Sequence, residues 1–269
     1  MAEWPIASVL KTEVLQGTVG SNPTSSDLFS IMTEISTYIE QISNWQDQFP
    51  ENALAHIIDR ETESKPLLRD LLQKTLIHYK EIPEDFVGHI YALYVLAFFR
   101  DPAGFTLAIS FLEVPEPYPR AFFHHFLEQS FPSVIASCYR GNPEPLYELV
   151  ANKKAGYISR VIALVALSIL VNRNSLPRGQ YASFILGFLE TERDKKFLAT
   201  VAQEIAELHL TEAYSKIKAL YSADCIDEAQ FSNKLFETIM QSDDINPDKF
   251  FLIDDVFEEL NGQEYSGQE

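Results

Sequence analysis

The sequence predicts an all-α chain, an α-solenoid of stacked antiparallel helical hairpins. Three observations predict it. Apolar residues recur at spacings of three and four, as in Ile31, Ile35, Ile39 and Ile42, which places them on one face of a helix. Only ten glycines occur in 269 residues, few for a chain that reverses through tight β-hairpins. A unit of apolar helix, polar turn with proline and second apolar helix also recurs. Phe99-Arg100-Asp101-Pro102 is echoed forty positions on by Tyr139-Arg140-Gly141-Asn142-Pro143, and self-similarity at such a period marks a solenoid.

The chain divides into an N-terminal segment and linker (1–26), a helical-repeat domain (27–240) and an acidic C-terminal segment (241–269), partly helical or disordered. Asp27 to Phe49 reads as an amphipathic helix opened by Ser26 or Asp27, with Ile31, Ile35, Ile39, Ile42, Trp45 and Phe49 on its apolar stripe. ALAHIIDR and KPLLRDLLQKTLIHY form the next pair.

HIYALYVLAFFRDPAGFTLAISFLEVP, His89 to Pro115, has three readings. A membrane span needs about 20 consecutive apolar residues, whereas Ile90 to Phe99 supplies ten before Arg100, Asp101 and Pro102. VIALVALSILV, Val161 to Val171, is equally short. Alanine and leucine richness favours helix over strand. Asp101-Pro102 then reads as a turn, Asp capping the next helix and Pro taking its first position. SVIASCY with PLYELVAN is the second copy. ALVALSILV, Arg173-Asn174, Pro177 and YASFILGFLE make a third, with a longer turn, and KKFLATVAQEIAEL with EAYSKIKALY a further pair.

Acidic residues outnumber basic ones 39 to 21, giving a net charge of −18. That balance argues against nucleic acid and anionic membrane surfaces, whose ligands present clustered cations. Two cysteines, Cys138 and Cys225, are too few for a disulfide framework, so reduced thiols in a cytoplasmic setting are expected. MAEWPIASVLKTEV lacks the basic region and long apolar run of a signal peptide, so no export is expected.

The sequence contains no GxGxxG, Walker loop, GxSxG or CxxC, and neither catalytic residues nor a cofactor or metal is predicted. His124 and Glu128 stand at ligand spacing without an accompanying HExxH, which suits a partly buried histidine better than a zinc site. In DINPDKFFLIDD, Asp244, Asn246, Asp248 and Asp255 fall at the ligand positions of a calcium loop. Lys249 replaces its turn glycine and Asp255 its bidentate glutamate, so the stretch reads instead as a cap before a helix FFLIDDVFEEL. Arg100, Arg140 and Arg173 recur at equivalent turns. They would either contact one ligand or, as we favour, bond helix-end carbonyls and neighbouring carboxylates. FFHHF, Phe122 to Phe126, together with His89, Tyr91 and Tyr94 supplies more rings than one helix face buries. The candidate binding residues are therefore His89, Tyr91, Tyr94, Arg100, His124 and His125, against a core-packing reading of the same rings.

From about Thr33 to Met240 the chain resembles a bacterial family of HEAT-like helical repeat proteins known as a domain of unknown function. The likeness rests on FPENALAHIIDR, HIYALYVLAFFRDPAGFTLAISFL, SFPSVIASCYRGNPEPLYELV, YISRVIALVALSILV and ALYSADCID. Some relatives add a C-terminal SEC-C zinc motif, but no cysteine follows Cys225 here, so that site is not implied. The resemblance implies a fold and no activity. The expected function is a non-catalytic scaffold binding an unidentified protein or peptide through the concave face of the stack. The alternative is an enzyme or small-ligand binder with His89, His124 or His125 as acid or base and Arg100 as an anion clamp. A third reading gives the acidic tail a basic partner, against simple solvation.

Overall fold

The computed structural model describes residues 25–46, 48–83, 85–119, 130–242 and 250–261. The secondary structure is helical throughout these residues, apart from one isolated β-bridge, and the chain is all-α. None of the described helices is long and apolar enough to cross a membrane. The chain forms two compact units: the described parts of Met1–Phe99 and Asp255–Glu269 make one, Arg100–Asp254 the other.

The first unit opens with α1 (Ser25–Ser43). Ile35, Ile39 and Ile42 are buried, as their spacing predicts. The helix is shorter than the apolar stripe suggests. At Ser43 the hydroxyl turns back to donate to the Ile39 carbonyl at 2.6 Å, and the backbone leaves the helix to find partners across the chain. Asn44 bridges Phe86, the Trp45 N–H donates to the Asp85 carbonyl at 2.7 Å, and the Val87 N–H donates to that of Ser43 at 2.9 Å. Trp45, 43% exposed, therefore lies off the buried stripe. Gly88 is required at this crossing, since a Cβ there would stand 2.8 Å from Ser43 Oγ.

α2 (Glu51–Asp59) and α3 (Glu61–Ile77) follow as expected, the second extending N-terminally past Pro66. α4 (Gly88–Phe98) buries every residue from Gly88 to Ala97 except Tyr91, so it has no polar face and must be covered on all sides. α1 and α3 pack against it, and α1 also meets α2 and α3. A C-terminal helix, labelled α13 below (Val256–Asn261), packs on α4 as well, through buried Val256 and Leu260.

The second unit contains α5 (Pro102–Glu113), α6 (Phe131–Cys138), α7 (Glu144–Ala151), α8 (Tyr157–Asn172), α9 (Arg178–Thr191) and α10 (Lys195–Glu207). A 3-10 turn (Thr211–Ala213), α11 (Tyr214–Ser222) and α12 (Asn233–Gln241) complete it, before the chain returns to α13. Asp101 caps α5 as its sequence predicts, accepting from the Ala103 N–H at 2.9 Å with Pro102 in the first turn. α5 meets α6, and α6, α8, α10 and α12 then pack in succession, while α7 and α9 pack on α8. α12 is an element the sequence reading did not single out. Ser232 caps it, and buried Phe236 stacks 5.6 Å from the Tyr214 ring.

Glycine scarcity is explained at the helix ends. Asn174, His209 and Asp224 hold φ of 56°, 48° and 53°, the left-handed position where glycine usually ends a helix. Each is followed by an amide reaching back into the helix: Ser175 to Leu170, Leu210 to Ile205 and Cys225 to Leu220, at 2.8–2.9 Å.

A buried ion pair joins three of these elements. Arg160 on α8 is 5% exposed and Glu192, just past α9, 2%. The guanidinium donates to the Val150 carbonyl at 2.8 Å and to Glu192, and lies 3.9 Å from the centre of the Phe197 ring on α10. The other Glu192 oxygen accepts from the Arg193 and Asp194 N–H groups at 2.6 and 2.9 Å. Asp194 in turn caps α10 through the Lys196 and Phe197 amides. Burial pushes the Glu192 carboxyl up, but the hydrogen bonds of Asp194, Arg160 and Arg193 outweigh it and hold the group below its ordinary value.

Arg160→Met leaves that carboxylate buried without its guanidinium, with only the exposed Lys153 ammonium 3.9 Å away. Urea unfolding at neutral pH is expected to show a loss of about 3–5 kcal/mol, partly recovered by adding Glu192→Gln. Because the folded-state pKa of Glu192 is depressed, its stabilisation is present above the unfolded value of about 4.3 and is lost as pH falls through the lower folded value. The stability gap between wild type and Glu192→Gln should therefore be constant from neutrality down to about pH 5 and close in stronger acid.

Candidate functional site

The turn arginines show what the recurrent pattern does. Arg100 takes φ of 54° at the start of the second unit. Arg140 donates to the Tyr139 carbonyl at 2.9 Å and to the Arg100 carbonyl, so successive turns are tied by one guanidinium. The Arg100 guanidinium pairs with the Asp254 carboxylate. Arg140 thus holds carbonyls and Arg100 a carboxylate, while Arg173 is exposed and bonds none of the described residues through its side chain. Arg178 serves the later turn instead, donating to the Leu208 and His209 carbonyls at 2.8 and 2.5 Å. Its place one residue after Pro177 is a signal the sequence carries and the reading passed over.

The ring residues stand differently. His89 is 1% exposed and stacks on Phe86 with centroids 5.6 Å apart, inside the core of the first unit. Tyr94 is equally buried. Tyr91 is half-buried, its ring 6.3 Å from that of Phe49. Arg100 belongs to the second unit, and His124 and His125 lie outside the described residues, as do Asp244, Asn246 and Asp248 of the calcium-like stretch. Of that stretch, Asp255 is described: it caps α13 through the Phe257 and Glu258 amides at 2.8 and 3.1 Å. The cap expected before Phe250 lies outside the described residues; residues 251–255 are non-helical and the helix starts at Val256, later than the sequence suggested. Among the described residues no group of three His, Cys, Asp or Glu could hold a metal ion.

The second unit also contains a cleft of about 310 Å³, lined by Leu189, Leu198 and Leu220 together with Glu190, Lys195, Lys216 and Cys225. Glu190 pairs with Lys216, which holds its carboxyl below the usual range. Lys195 pairs with Asp224 at 2.7 Å, and that contact raises its ammonium. An apolar wall with ion pairs beside it can accept a small amphiphilic molecule. The lining includes neither histidine nor tyrosine, so no general base of the kind the sequence suggested faces it.

The two thiols differ sharply. Cys138 is fully buried, and burial, reinforced by Asp101, pushes its thiol up to about 12. Cys225 is half-buried at the cleft, its Sγ 3.6 Å from the Ala223 carbonyl. Titration with a thiol-reactive disulfide reagent under native conditions should modify Cys225 alone, with Cys138 reacting only after unfolding.

Comparison with known proteins gives the chain a family. A 238-residue alignment with an uncharacterized protein of Chlamydia muridarum (strain MoPn / Nigg) is 26% identical, covering 84% of this chain and 95% of that one. An uncharacterized protein of Chlamydia trachomatis serovar D matches over 241 residues at 24% identity, covering 84% and 94%. No solved structure matches the chain. The family model described as "Protein of unknown function (DUF1186)" matches residues 33–264, and the chain belongs to that family.

Proposed function

We propose that the protein is a non-catalytic helical-repeat scaffold, HEAT-like in plan, that binds a protein or peptide partner along the surface of its stacked hairpins in the bacterial cytoplasm. The observation that carries this reading is the packing series of the second unit. α6, α8, α10 and α12 contact one another in succession, with α7 and α9 against α8. Alternate helices in contact are what stacked two-helix units produce. The side chains best suited to chemistry serve that stack: Arg140, Arg160 and Arg178 hold backbone carbonyls. His89 is enclosed beside Phe86. Such surfaces recognise partners by shape and main-chain contacts rather than by a reacting group.

A second reading, a small-ligand binder, draws support from the cleft beside Lys195 and Lys216. The two readings separate in one experiment. Tagged chain expressed in its native host is purified at low and moderate salt, and the same preparation is screened against metabolites by thermal shift. The scaffold reading expects a stoichiometric protein partner that co-elutes on gel filtration, with no metabolite raising Tm. A metabolite-dependent shift abolished by Lys195→Ala and Lys216→Ala, with no co-eluting protein, contradicts it and selects the cleft.

A further inference from the structure

Residues 250–254 follow a course unlike the rest of the second unit. They belong to no helix, yet Phe250 is 2% exposed and Ile253 fully buried. Two apolar side chains three apart are therefore enclosed without a helical backbone to present them. The backbone does not satisfy itself either: the Ile253 N–H donates to Ser137 Oγ at 2.9 Å, a bond wholly buried. Ser137 belongs to α6, every residue of which is buried. At the end of the stretch the Asp254 carboxylate, 70% exposed, rests on the Arg100 guanidinium.

These are the parts of a peptide-binding site: enclosed apolar anchors, a main-chain amide read by a protein hydroxyl, and a guanidinium pairing with a side-chain carboxylate. The cationic corner is local, in a chain of net charge −18, and it is built with care, since Arg140 holds the Arg100 carbonyl. We infer that Arg100, Ser137 and the face of α6 form a docking site for an extended peptide with two apolar residues three apart followed by a carboxylate, which Phe250–Asp254 of the same chain occupies in cis. This rests on the scaffold reading and names its site and the chemistry of its partner. A tethered occupant acts at an effective concentration in the millimolar range, so a partner segment must match it closely or arrive where the tether is displaced.

The test uses full-length chain and a fluorescent synthetic peptide of residues 248–255, DKFFLIDD, followed by anisotropy. Phe250→Asp/Ile253→Asp in the chain empties the site. This opened chain is expected to bind the peptide at least about tenfold more tightly than wild type. Adding Arg100→Glu should reduce that affinity about tenfold, and a peptide carrying Asp254→Lys should restore it. Asp254→Lys in the chain opens the exposed end alone and leaves the apolar anchors intact; it should give an intermediate gain. Equal binding to wild type and to every opened chain that retains cooperative unfolding overturns the inference, as does indifference to Arg100→Glu. A co-eluting partner that persists while the peptide fails leaves the scaffold in place and removes only this site.

Discussion

Helix ends are the constraint on which this structure depends. The last four carbonyl groups of an α-helix have no partner within it, and the helices of the second unit are short, some of only eight residues, so such groups are frequent and close to the core. The chain meets the demand with cations, some local and some from neighbouring elements. Arg140 serves Tyr139 and Arg100, Arg160 serves Val150, Arg178 serves Leu208 and His209, and Arg193 serves Glu190 and Glu192. Lys153 does the same for Thr191. A planar guanidinium with five donors can hold two carbonyls at once, which an ammonium on a flexible stem does poorly.

This arrangement links fold to surface chemistry. Of these cations Arg160 alone is buried; Arg140, Lys153, Arg178 and Arg193 hold carbonyls while staying exposed, in a chain poor in basic residues. The net charge of the chain, −18, nevertheless disfavours contact with polyanions. Arg100 adds a different contact, an ion pair between its guanidinium and the exposed Asp254 carboxylate.

Much of the fold was legible because its signals are local. The apolar spacing of Ile35, Ile39 and Ile42, the Asp101-Pro102 cap, and the alanine- and leucine-rich cores of α4 and α8 each carry their own instruction. What the sequence did not reveal depends on distant partners. α1 stops at Ser43 because residues 85–87 offer its backbone an alternative, and nothing in the apolar stripe announces that. FFLIDD has helical neighbours and a helical look, yet Ser137, more than a hundred residues away, takes its amide. The candidate site shows the same division. That Arg140 would hold helix-end carbonyls followed from the chemistry of helix ends, whereas the carboxylate on Arg100, the role of Arg178 in place of Arg173 and the enclosure of His89 beside Phe86 required the tertiary structure.

The most direct measurement replaces geometry while keeping charge. Arg140, Arg160, Arg178 and Arg193 are changed together to lysine, and unfolding free energy is compared with that of Arg173→Lys, an exposed position without a bonded carbonyl. If guanidinium-to-carbonyl ties hold the turns, the fourfold variant loses about 3–6 kcal/mol and Arg173→Lys changes within about 0.5 kcal/mol. Similar small changes in both would show that the turns stand without those ties and that the constraint lies elsewhere.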